Sequence, residues 1–536
     1  MEPIHSAQFI LRQETDIDSV FELLRQKYSL QETGSMQLER HYLDTFDWRM
    51  YRKNYLCGWD VPVDTNNTNR EGVFFVRYKE TGDCIYEFPL SAVPRFSREL
   101  AHPICRKLLD DIVGVRALMT MATIMIERRQ SLLLNEDNKT LVILQVENYT
   151  IHDQADKNQL ATRLLVYPIR GYKKAFRHVR HTLTSQMKLP CVNTALLDEV
   201  LTATRQKPDF NQFVLTPRLE GLLNTWEAVQ ILLRHLLSAM QANEPGLRAA
   251  IDTEFLHDYR VALRRTRSIL GQIKHVLPDR LLAYFKRELL WLSTMTTPTR
   301  DLDIYLLKFD DYRQELPAEF RHDLEPFRLF LLRHWKIEHA RLCRALDTKR
   351  YQRLINKWQQ IVINKNERSK NVTLQKTSPA ETLNAAEPAR RVAGQRIWKL
   401  YNRVLKEGGA ITLQSPDEAL HELRKTCKRF RYLIEFFHDY YSDKQIKELI
   451  KTLKQLQDNL GDFQDLCVQL EQLKAFAEQM RQEDMAGTKT IMAMGVLVEK
   501  LNARKVLVRA EFNQRFKMFG QAENKSAFVR ALSPRN

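Results

Sequence analysis

The 536-residue chain has no uncharged apolar run approaching the roughly 18 residues a membrane helix needs, and Met1-Glu2-Pro3-Ile4-His5 is not a basic-then-apolar leader. Membrane spanning and export are therefore not expected. Its seven cysteines (Cys57, Cys84, Cys105, Cys191, Cys343, Cys427 and Cys467) are scattered singly, odd in number and without a C-x-x-C pair. Neither a disulfide framework nor a thiolate zinc site is indicated, and a reducing cytoplasm fits best. Helix-turn-helix, zinc-finger and RNP-like signatures are missing too, as are the interleaved exposed aromatics that stack bases. What is present is 44% hydrophobic and 28% charged residues, the balance of a globular protein. A chain this long exceeds one hydrophobic core, so two or three domains are expected.

Charge is unevenly placed. Of 83 Lys+Arg and 66 Asp+Glu, residues 1–210 hold 28 and 27, leaving 55 and 39 for residues 211–536. A near-neutral first part is thus followed by a strongly basic second one. That asymmetry suggests a polyanionic partner for the second part: nucleic acid, anionic lipid or condensed phosphate. The plain alternative is excess charge that only keeps the protein soluble.

Texture divides the chain at the same place. Val73–Lys79, Thr140–Val146 and Arg163–Ile169 are rich in β-branched and aromatic residues and bounded by turn formers, with helical stretches near 16–28, 102–113 and 172–186. Residues 1–205 therefore read as an α+β domain with a largely antiparallel sheet. From about 218 to 520 apolar residues recur three and four apart, which predicts an all-α domain. Residues 364–388, rich in Asn, Lys, Ser, Thr, Ala and Pro, are expected to be a linker.

A repeat flanks that linker. The segment from His257 to Arg267 matches that from His421 to Arg431 at an offset of 164, and the same offset pairs Leu289 with Leu453, Leu292 with Leu456 and Asp301 with Asp465. Constant register over some forty-five residues indicates a duplicated helical unit, about 218–362 and 389–520, forming two pseudo-symmetric bundles. At 100° per residue, His257, Arg260, Arg264 and Arg267 fall within about 80° of one another, opposite Tyr259, Leu263, Thr266, Leu270 and Ile273. His421, Arg424, Lys428 and Arg431 repeat the stripe, backed by Leu423, Cys427, Phe430, Ile434 and Phe437. Like charges four apart destabilise a helix by roughly 0.2–0.5 kcal/mol per pair. A stripe that keeps this repulsion suits an extended anion, though a solvated basic face would look the same in one copy.

The two H-x-x-R-x-x-x-[RK]-[RK]-x-R helices, with Arg300-Asp301-Leu302-Asp303-Ile304 and Leu460-Gly461-Asp462-Phe463-Gln464-Asp465-Leu466, resemble the CHAD family, the conserved histidine α-helical domain, over about 220–518. The resemblance implies two four-helix bundles around a basic channel for long-chain inorganic polyphosphate, without catalysis. By position it makes binding candidates of His257, Arg260, Arg264, Arg265 and Arg267, with His421, Arg424, Lys425, Lys428, Arg429 and Arg431. Arg265 and Arg429 lie about 80° off the main stripe. Asp301 and Asp465 are expected to hold helix ends or basic side chains.

In the first domain, the segment from Tyr42 to Arg52 resembles the Y-x-D-T-x-D-x-R segment of the CYTH family, the triphosphate tunnel enzymes, which implies a tunnel-like antiparallel sheet. That family's metal-binding E-x-E-x-K signature falls on Ile4, Ser6 and Gln8, its L-R-x-R strand on Leu56-Cys57-Gly58-Trp59, and no acidic residue occurs from Leu160 to Gly171. Lys79 and Arg77 alone keep a T-x-K-like place. Lost metal ligands remove several kcal/mol of transition-state stabilisation. The sequence therefore predicts a degenerate tunnel fold with no catalytic or metal-binding residue and no cofactor. Its rivals are a triphosphatase using Mg²⁺ or Mn²⁺ and a nucleic-acid-binding helical domain.

Overall fold

The computed structural model describes residues 6–11, 17–63, 71–151, 158–192, 194–206, 208, 217–363, 382–441 and 443–521. Most of the expected linker, 364–381, lies outside the described residues, as do Ile4 and parts of the connection before 217. The chain forms two compact units, residues 1–210 and 211–536.

The first unit is one antiparallel sheet with helices. Its strands are β1 (Ala7–Ile10), β2 (Ser29–Asp44), β3 (Tyr55–Pro62), β4 (Gly72–Tyr78), β5 (Cys84–Leu90), β6 (Met119–Leu134), β7 (Thr140–Ile151), β8 (Asn158–Gln159) and β9 (Arg163–Pro168). They run in the order β1-β9-β7-β6-β2-β3-β4-β5, with β8 on β7. The helices are α1 (Ile17–Arg25), α2 (Arg49–Arg52), α3 (Pro103–Val113), α4 (Lys173–His181) and α5 (Leu196–Ala203). The sheet curls until its ends approach: Ser6 N–H donates to Asp83 Oδ1 at 3.4 Å, and Gly82 lies against the end of the Gln8 side chain at φ +72°, a backbone conformation that favours glycine. Two apolar clusters clothe the sheet, one of Phe9, Phe21, Val142, Leu164 and Phe176, the other of Met50, Phe74, Val76, Leu109 and Val113. The curled interior is left to polar side chains.

The second unit is helical: α6 (Thr225–Arg248), α7 (Thr253–Gln272), α8 (Asp279–Leu307), α9 (Phe309–Glu315), α10 (Glu325–Leu346), α11 (Lys349–Ile363), α12 (Ala389–Gly409), α13 (Asp417–Phe436), α14 (Asp443–Gln482) and α15 (Thr488–Phe519). The duplication is visible in the starts. Helices α6, α7 and α8 begin 164 residues before α12, α13 and α14, and α10 begins 163 before α15. Local chemistry sets these starts. Asn224 and Glu227 form a capping box on α6 with bonds of 2.9 and 3.1 Å, and the Asp252 side chain accepts from Glu254 N and Phe255 N at 2.8 and 3.2 Å on α7. Each such cap contributes about 1 kcal/mol. The apolar stripes predicted for α7 and α13 are all buried, from Tyr259 to Ile273 and from Leu423 to Phe437. Their cationic faces are thereby turned away from the core.

Candidate functional site

Helices α7 and α13 meet through polar groups. Arg264 Nε donates to the Tyr432 hydroxyl at 2.7 Å. Arg265, buried between the helices, pairs with Glu435, its guanidinium 5.4 Å from the Tyr432 ring centroid and 5.7 Å from that of Phe436. Arg265 therefore ties the two repeats together.

Beside this contact, α7, α8 and α13 enclose a hollow of about 610 Å³. Arg264 and Arg267 line it from α7, Lys286 from α8, and Lys425, Lys428 and Arg429 from α13; Leu270, Leu289, Leu290 and Tyr432 complete its walls. Among the described residues, no Asp or Glu lines it. Five of the eleven candidates are thus brought together, joined by Lys286, which sequence reasoning missed. Its counterpart 164 residues on is Ile450, so a search for duplicated cations passes over it. Crowding leaves its mark on Lys428: burial first, then Arg424 and Arg264, push its ammonium pKa down to about 7.

Several candidates, inside the hollow and outside it, have protein partners. Arg260 donates to Thr296 Oγ1 at 2.6 Å, Thr297 Oγ1 at 3.0 Å and the Ser293 carbonyl at 3.2 Å, and burial lowers its pKa to about 10. Arg267 also reaches Ser293 Oγ at 3.1 Å, and its counterpart Arg431 reaches the counterpart acceptor Gln457 at 3.2 Å while pairing with Glu435. Arg424 pairs with Asp465 at 3.2 Å, and Lys425 with Glu422. Of the two aspartates expected to hold helix ends or basic side chains, Asp465 takes Arg424 and Asp301 accepts from Gln472 Nε2 at 3.5 Å on α14; nearby, Asp303, buried on α8, accepts from Trp335 Nε1 at 2.7 Å on α10, and Arg300 Nη1 donates to the Thr253 carbonyl at 3.0 Å on α7.

Among the described residues, neither histidine lines the cationic hollow. His421 hydrogen-bonds Gln464 through Nδ1 and lines a second hollow of about 540 Å³ between α13, α14 and α15, with Asp417, Glu418, Glu471 and Glu499 in its walls. His257 is half-buried in the second turn of α7.

In the first unit, the segment around Tyr42 builds a turn. The Asp44 carboxylate accepts from the backbone N–H of Thr45, Met50 and Tyr51 at 2.7, 2.9 and 2.9 Å. Thr45 Oγ1 donates to Asp47 at 2.8 Å, and Arg49 bonds Asp47 at 2.9 Å and the Val113 carbonyl at 2.7 Å. Those polar residues are spent on fixing the β2–α2 corner. Inside the curl, Arg40 grips Asp60 through two bonds of 2.6 Å, and Arg128 reaches Glu147 at 2.6 Å. Each pair sits directly across a strand ladder, β2 to β3 and β6 to β7. A cavity of about 50 Å³ remains beside them, touched by Gln8, Arg77, Lys79 and Arg163.

Residues 231–474 match the family model described as the CHAD domain. Among solved structures, the chain is similar to the CHAD domain from the plant Ricinus communis, at 24% identity over 56% of this chain and 94% of that one, with a TM-score of 0.46. It is also similar to PptA from Streptomyces chartreusis, at 16% identity over 55% and 100%, with a TM-score of 0.42. A third likeness is to the putative adenylyl cyclase HpAC1 from Hippeastrum, described as having a dominant triphosphatase activity, at 8% identity over 38% and 97%, with a TM-score of 0.25. No curated protein matches the chain. With its duplicated basic helices and the family match between them, the segment 231–474 is a CHAD domain.

Proposed function

We propose that the CHAD domain binds long-chain inorganic polyphosphate without turning it over, seating the chain in the hollow between α7, α8 and α13. The carrying observation is six cationic side chains from three helices around a space with no carboxylate among the described residues of its lining. Among the described residues Lys425 alone of the six pairs with a carboxylate, Glu422; the like charge that remains raises the energy of the empty protein, and an anion that threads among the cations relieves it. Arginine forks donate two bonds to one phosphate, while the lysines act as point charges. Leu270, Leu289 and Leu290 make the walls partly apolar, and the aromatic among the described lining residues, Tyr432, is buried and already engaged by Arg264 and Arg265, which leaves it a poor stacking platform for bases.

The first unit is proposed as a non-hydrolytic relic of a triphosphate tunnel. Its interior carboxylates Asp60 and Glu147 are already engaged by Arg40 and Arg128, which leaves them poorly disposed to hold a divalent metal. Pure full-length protein incubated with tripolyphosphate and Mg²⁺ or Mn²⁺ is expected to release no phosphate. Turnover that survives purification would restore the triphosphatase reading.

The deciding experiment is direct binding of long-chain polyphosphate, RNA and DNA to the full chain across a salt series. Polyphosphate is expected to bind most tightly, with log affinity falling linearly in log salt as counterions are released. RNA displacing polyphosphate at equal phosphate concentration would overturn the assignment.

The lowered pKa of Lys428 adds a pH dependence. Above about pH 7 the free protein has lost this charge, and a bound polyanion draws the proton back, so affinity falls as pH rises from about 6 to 8.5. Arg424, Arg264 and Arg431 press the pKa down and Asp465 works against them. Lys428→Arg keeps the charge at all these pH values and should flatten the profile in a fluorescence-anisotropy titration. An unchanged slope in that variant would move the proton elsewhere.

A further inference from the structure

The internal repeat should produce two equivalent faces on the α7–α13 pair, yet among the described residues the hollow on one face has no Asp or Glu in its lining, while the arginines of the other face are held by Glu435. Arg265 and Arg429 are counterparts at the offset of 164, as are Gly271 and Glu435. Arg265 is neutralised across the helix pair by Glu435, which also takes Arg431. The same operation applied to Arg429 leads to Gly271, and both residues line the hollow. The third wall does not decide between the faces by charge, since Lys286 and Leu290 of α8 answer to Ile450 and Lys454 of α14, one cation on each side.

The usual reasons for a glycine do not apply at 271. It is not among the residues of positive φ, and a Cβ built on it meets nothing within 4 Å. It lies in the last turn of α7, where glycine is about 1 kcal/mol worse than alanine in a helix. Neither backbone geometry nor close packing asks for it. What glycine supplies there is the absence of a carboxylate opposite Arg429.

Resting on the polyphosphate reading, we infer that the polyanion seat is single and one-sided, and that Gly271 is the residue that determines it by leaving Arg429 available to the ligand. On the pseudo-equivalent face, Glu435 and Gln457 satisfy Arg265 and Arg431 internally, so no second seat forms. The duplication thus provides the frame, and a single Glu-to-Gly difference chooses the working side.

Calorimetric titration of the full chain with a short polyphosphate of defined length, at low salt, tests this. The wild type should bind at one site per chain. Gly271→Glu should weaken binding about tenfold or more, as a carboxylate set beside Arg429 competes with the ligand. Gly271→Gln, similar in size and uncharged, should stay within about threefold of wild type, a change worth under 1 kcal/mol. Arg429→Gln should weaken binding as Gly271→Glu does, and it guards the test if the glutamate variant folds poorly. Two equal sites per chain, or Arg429→Gln binding as tightly as wild type, would overturn the single seat while the functional reading stands. A folded wild-type chain that ignores polyphosphate would remove both.

Discussion

Changing Arg267, Lys425 and Arg429 together to glutamate is expected to abolish polyphosphate capture, with affinity falling on the order of a thousandfold at low salt. All three line the hollow, none is buried, and none is an anchor between the repeats, so the fold should survive by far-ultraviolet circular dichroism. The contrast is Arg260→Glu. That side chain is held by Thr296, Thr297 and Ser293, and reversing it places a carboxylate against hydroxyls and a carbonyl already arranged for a cation. It should lower stability more than it lowers the affinity of whatever protein remains folded. A triple variant that is folded and still captures long polyphosphate would place the site outside this hollow. The two outcomes separate residues that face the ligand from residues that hold the wall.

The same contrast shows what could be read from sequence. Apolar periodicity located the buried stripes of α7 and α13 because burial at 3.6-residue spacing is a property of one helix. The duplicated cations were legible for the same reason. Which of them share a space depends on how separate helices pack, and there the wheel could not help. Arg264 and Lys428 share the hollow, His421 turns toward an acidic one, and Arg265, judged off the stripe, becomes the tie between repeats. Lys286 was invisible because its value comes only from the place α8 takes beside α13. In the first unit the strand pattern and the antiparallel sheet were legible from alternation and turn residues. The Arg40–Asp60 and Arg128–Glu147 pairs were not, since partners 20 and 19 residues apart meet only once strand register is fixed.

Those buried pairs carry the second large effect. Asp60→Asn should destabilise the first unit by about 3–5 kcal/mol, because it leaves Arg40 buried with its counter-charge removed. Burial alone would raise the Asp60 pKa, but Arg40, Arg77 and Arg128 outweigh it and hold the carboxyl below its usual range. Glu147 is likewise held down against burial by Arg128 and Arg40. A carboxylate with a depressed native pKa gives stability that is present above its unfolded pKa of about 4 and is lost as pH falls through the native value. Acid should therefore loosen this sheet, and Asp60→Asn should remove part of that sensitivity along with the stability. Peptide-level hydrogen exchange over β2 and β3 reads the effect locally, so that the helical unit does not mask it. Replacing both partners, as in Arg40→Met with Asp60→Leu, removes the stranded charge and should recover much of the loss. If Asp60→Asn exchanged as slowly as wild type across these strands, the interior would not depend on this pair, and its carboxylates would be freer for metal than their contacts indicate.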